Sequence, residues 1–147
     1  MGGGDKNNIL SNEPIEEKIN TIIDKLDNLI NQSEKIILFQ YLFNHFNSTL
    51  QEIKNFSPNS IKRYADIHIE NLKENNANLV EQVIKNLMRM IFYMNQIFNS
   101  YEIESILKIL LFSINDIGNK TINKLSKQLL EIIKKKCDNE ELFKIVY

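Results

Sequence analysis

Only four Gly and two Pro punctuate this chain of 147 residues. A β-rich fold needs frequent tight turns, and Gly and Pro are the residues that form them most cheaply. Their scarcity argues against a sandwich or a barrel. Apolar residues recur instead every three or four positions, which places them on one face of an α-helix. The expected fold class is all-α, a compact bundle of about seven helices around a central apolar one.

Residues 1–12 read as a disordered N-terminal tail, because Gly2-Gly-Gly-Asp5 cannot hold a fixed backbone cheaply. Residues 13–147 read as a single helical domain. The first helix is expected from Pro14 to Ile30, with Ile15, Ile19, Ile22, Leu26, Leu29 and Ile30 inward. The second runs from Glu34 to Phe56 with Ser33 as N-cap; its stretch 36–43 is apolar nearly all round. The third follows Ser57-Pro58 and carries the stripe Ile61, Tyr64, Ala65, His68 and Leu72 as far as Glu74. The fourth spans Leu79 to Phe98 with a face wider than that of a surface helix. The fifth runs from Ser100 to Gly118, and its apolar interior Ile106–Phe112 marks it as the central core helix. The sixth spans Thr121 to Lys136, and a short seventh follows the capping-box pattern Asp138-Asn-Glu-Glu141. Links this short make consecutive helices antiparallel neighbours.

The charge balance narrows the choice of partner. The net charge is −1, without the basic excess that phosphate contacts require, so no nucleic acid is expected. Lys134, Lys135 and Lys136 suit the negative end of a helix dipole. Cys137 is the only cysteine, which excludes an internal disulfide. No apolar run reaches the ~18–20 residues of a membrane span.

Chemical motifs are missing as well. His45 and His68 are the only histidines and sit on separate helices, too few and too far apart in sequence for a zinc ligand set. His45, between Phe43 and Phe46, reads as a core or partly buried histidine. There is no phosphate-cradling glycine loop and no nucleophile elbow. The chain is expected not to be an enzyme and to need no cofactor, metal or small-molecule substrate. Met88, Met90 and Met94 suit either an adaptable binding groove or simple core filling.

Two segments resemble the Bcl-2 family, most closely its poxviral branch. Val80-Glu-Gln-Val-Ile-Lys-Asn-Leu-Met-Arg89 resembles the family's groove-lining helix. Ile106-Leu-Lys-Ile-Leu-Leu-Phe-Ser-Ile-Asn-Asp-Ile-Gly-Asn-Lys120 is similar to the central helix of poxviral members. Residues 129–137 and 140–147 look like its last two helices, so the likeness covers about 79–147. The cellular signature Asn-Trp-Gly-Arg is absent, and the chain contains no Trp.

This resemblance implies a virus-encoded apoptosis inhibitor. It would bind BH3-type amphipathic helices of host pro-apoptotic proteins in an apolar groove. The residues nominated to line that groove are Ile61, Tyr64, His68, Leu72, Val83, Asn86, Leu87, Ile106 and Leu110, with Arg89 or Lys108 pairing with an acid of the partner. The alternative is a soluble relative that inhibits host innate NF-κB signalling through surface contacts, or an unrelated helical adaptor or immunity protein. The last predicts that the fifth helix is not the central one. The implied location is the host cytoplasm, or the mitochondrial outer membrane should the native chain continue past Tyr147 into an anchor. A homodimer is compatible with each reading.

Overall fold

Asparagine starts most of these helices. Asn31, Asn76, Asn99 and Asn119 each accept a hydrogen bond from the backbone N–H three residues on, at Glu34, Leu79, Glu102 and Ile122. Ser57 does the same for Ser60. Each cap satisfies one of the amides that a helix start leaves without a partner. At Asn99 the bond is reciprocal, because Glu102 Oε1 accepts from Asn99 N at 2.9 Å.

The computed structural model describes residues 14–115 and 118–137. Among them are seven α-helices: α1 Ile15–Asn28, α2 Gln32–Asn44, α3 Phe46–Glu52, α4 Pro58–Asn71, α5 Ala77–Met94, α6 Ser100–Ile114 and α7 Lys120–Lys136. Short 3-10 turns at Ile53–Asn55 and Asn95–Ile97 follow α3 and α5. The all-helical bundle is therefore as expected. The tail 1–12 and the helix expected after Asp138 lie outside the described residues.

Three expectations for residues 31–56 need correction. The second helix begins at Gln32 with Asn31 as its cap, so Ser33 lies inside it. It also breaks at His45, where φ −101° and ψ 16° leave the helical range. An unbroken helix with apolar residues all round would leave some of them in water; after the break, Phe46 and Thr49 are buried. His45 itself is exposed, not part of the core, and stacks on Tyr41 with centroids 4.1 Å apart.

The centre of the bundle is α5, not the helix that begins at Ser100. Leu79, Val83, Ile84, Leu87, Met90, Ile91 and Met94 are all without exposure. α5 packs most extensively against α7 and α2 and also touches α4. Met90 and Met94 are thus core filling. α6 is one-sided: Ile103, Ile106, Leu107 and Leu110 point inward, while Tyr101, Lys108 and Phe112 face solvent, Phe112 at 82% exposure. Average apolarity misplaced the centre, because α6 is apolar around most of its circumference yet buries only one side of it. α6 also ends at Ile114, short of Gly118.

α1 is held to α4 by a polar seam. Glu16 Oε2 accepts from Ser57 N at 3.1 Å and from Ser60 Oγ at 2.7 Å. Asn20 Nδ2 donates to Ser60 Oγ at 2.9 Å, and Arg63 pairs with Asp24 and Asp27. Ile19, Ile22, Ile23 and Leu26 form the buried face of α1, but Ile30, beyond the helix end, is 91% exposed.

Candidate interaction surface

The nine residues nominated for a groove come together, but as core. Tyr64, His68, Leu72, Val83, Asn86, Leu87, Ile106 and Leu110 are buried, and the partly buried Ile61 packs against the same core. They converge on a polar pair. His68 Nδ1 lies 2.8 Å from the Tyr64 carbonyl, and His68 Nε2 lies 3.2 Å from Asn86 Nδ2. The same Asn86 nitrogen donates to the Phe39 carbonyl at 2.9 Å, and Gln82 Nε2 donates to Asn86 Oδ1 at 2.9 Å. An amide nitrogen only donates, so Nε2 must accept, and the ring proton sits on Nδ1 facing Tyr64. The rings of Phe39 and Tyr64 stand edge-on to His68 at 5.1 and 5.2 Å. Burial pushes the His68 pKa down to about 4, so the ring is neutral near pH 7.

The outer surface carries aromatic rings paired with cations. On the outward side of α5, Arg89 sets its guanidinium 3.9 Å above the Phe43 ring and donates from Nη1 to the Phe43 carbonyl at 3.2 Å. One turn on, Phe92 and Tyr93 meet edge-on at 4.7 Å, and Tyr93 leans on Phe46 at 6.0 Å. They are 43% and 57% exposed. From the end of α7, Lys136 places its Nζ 4.3 Å over Phe92, and its carbonyl accepts from Asn95 Nδ2 at 2.9 Å. Lys108, the other cation nominated to meet a partner, lies on α6 and pairs with Glu104 at 3.1 Å.

Two concave features lie elsewhere. A groove of about 580 Å³ runs between α1 and α2, lined by Leu29, Ile37 and Leu38 beside Asp24, Lys25 and Glu34. A second, of about 480 Å³, is bordered by Ile53, Ile61, Ile97, Phe98 and Glu102. Burial, with Asp66 adding to it, raises the Glu102 pKa. One Glu102 oxygen serves the cap of α6. No group of three or more His, Cys, Asp or Glu that could hold a metal occurs among the described residues. None of the helices searched there is long and apolar enough to cross a membrane.

Sequence reasoning singled out His68 and Asn86 as contacts for a partner, and the structure uses them on each other. It missed Phe43, Phe92 and Tyr93. The available signal was the i, i+3, i+4 spacing of Arg89, Phe92 and Tyr93 on the side of α5 opposite its apolar stripe. Comparisons of the chain with family models, with curated proteins and with solved structures give no match.

Proposed function

We propose that this chain is a non-catalytic, helical protein-binding module that engages its partner through the outer surface while its core stays closed. One contrast carries the reading. The residues nominated for a groove are packed against one another, whereas aromatic side chains paired with cations stand outside. Tyr, Phe and Arg are the residues enriched where proteins bind proteins. Under the likeness to poxviral Bcl-2-like proteins, this corresponds to a soluble inhibitor of innate NF-κB signalling. The central place of α5 favours the unrelated helical adaptor, and both act through surface contacts.

Photo-crosslinking tests the reading. A benzoylphenylalanine replacing Phe92, Phe112 or Ile37 in the full chain should give a discrete protein adduct from at least one position, while one replacing Leu87 gives none. The absence of an adduct from all three surface positions removes the proposal.

The second reading keeps the BH3-type groove. It is favoured by one fact, that the apolar nominated residues of α4, α5 and α6 belong to a single cluster or pack against it. Binding there requires α4 to part from α5 and break the His68–Asn86 contact. Titration calorimetry with death-motif helical peptides should register no binding at ~10–100 μM, a range of weak affinity. Binding that shifts the resonances of Val83 and Leu87 would restore the groove and displace the surface reading.

A further inference from the structure

The exposed half of α5 lies in a stretch almost free of charged residues. The chain holds 19 acidic residues, yet residues 36–51 and 86–101 contain no Asp or Glu. These segments meet where α2 packs on α5. The only Lys or Arg in either is Arg89. Lys136, in the last turn of α7, closes one side of the same face with its Nζ over Phe92, whereas Lys134 pairs with Glu131. The result is an apolar, aromatic strip bounded by cations.

We propose that this strip docks an acidic amphipathic helix of a partner protein. The inference rests on the protein-binding reading above and names the chemistry of the partner. Charge complementarity identifies the occupant. A helix lying along α5 would set apolar side chains at i, i+3 and i+7 against Phe92 and Tyr93, and carboxylates on its flanks would reach Arg89 and Lys136. Such complementarity steers the encounter and fixes orientation. A single-stranded nucleic acid fits less well. It binds by stacking bases on free aromatic faces, and here Arg89 covers a face of Phe43 and Lys136 a face of Phe92.

The test uses the full chain, isotope-labelled, with its resonances assigned. The probe is a 14-residue helical peptide with Leu, Ile and Phe at i, i+3 and i+7 and Glu at the flanking positions. Its counterpart carries Lys in place of every Glu. The acidic peptide should shift Arg89, Phe92, Tyr93 and Lys136 with a Kd of about 10–100 μM, and the Lys peptide should not. R89E and F92A should each weaken binding about tenfold or more, while K124E, on the first half of α7, leaves it unchanged. Equal binding of both peptides overturns the proposal, as does a stronger response to oligo(dT). Ring contacts between Phe92 and Leu142 or Phe143 in the peptide-free protein also overturn it, because the occupant is then the chain's own acidic segment. So does burial of the strip between two copies. If the acidic peptide shifts a different surface, this partner chemistry falls and the protein-binding reading survives. If crosslinking finds no partner at any surface, the broader reading falls on its own test.

Discussion

His68 is where protonation couples to stability. Its neutral ring is satisfied on both nitrogens, and burial holds its pKa at about 4, below the ~6.5 of an unfolded histidine. Between these two values the unfolded chain binds the proton and the folded one does not. Stability is therefore fully present above about pH 6.5, is lost as pH falls towards about 4, and loses nothing more to this group below that. The slope within the window approaches ~1.4 kcal/mol per pH unit. Urea midpoints measured from pH 7.5 to 4.5 should reveal it, and His68→Gln should flatten the fall. Asn86→Ala removes partners from both the His68 ring and the Phe39 carbonyl. The Phe39 carbonyl keeps its place in the α2 helix, so the His68 nitrogen is the group left unsatisfied, and denaturant unfolding should show a loss of about 1–3 kcal/mol. A polar residue within the apolar stripe of a helix was legible in the sequence at both positions. That the two would satisfy each other, 18 residues apart, was not, because it depends on how α4 rotates against α5.

Helices were legible because their apolar periodicity is local. α1, α4, α5 and α7 lie close to where the spacing puts them, and Ile122, Leu129 and Ile133 are buried as the pattern requires. Boundaries were harder. Asn31 and Ser33 are both good caps, and what separates them is which register buries Lys35, Phe39 and Leu42. Lys35 then pairs with Glu74 at 3.5 Å, a contact from a distant part of the chain. The break at His45 likewise follows from where Phe46 must point. The outer strip was invisible for the same reason, since Arg89 meets Phe43 across 46 residues. Asn99→Ala removes the reciprocal cap of α6 and should lower stability by about 1 kcal/mol. Asn99→Asp should restore most of it, read as thermal midpoints by circular dichroism.

The molecule as a whole is uneven. α5 is enclosed by α2, α4 and α7, whereas α6 has one face in solvent and packs chiefly on α7 and α4. Backbone hydrogen bonds open most easily where few buried contacts hold them. Amide exchange should therefore be slowest at Ile84, Leu87 and Ile91, and faster along the Tyr101–Lys108–Phe112 side of α6. Uniform protection of the two helices would contradict this picture.

The central position of α5 also sets an order of events during synthesis. α2 and α4 leave the ribosome before it, so two of its neighbours are in place when Met94 appears. Its most extensive neighbour, Lys120–Lys136, lies further along the chain. At ~5–20 residues per second, the side of α5 that packs on α7 waits on the order of seconds before its cover is made. Over that interval the nascent chain displays one apolar side of its central helix, so the geometry that closes the finished core leaves the unfinished one open.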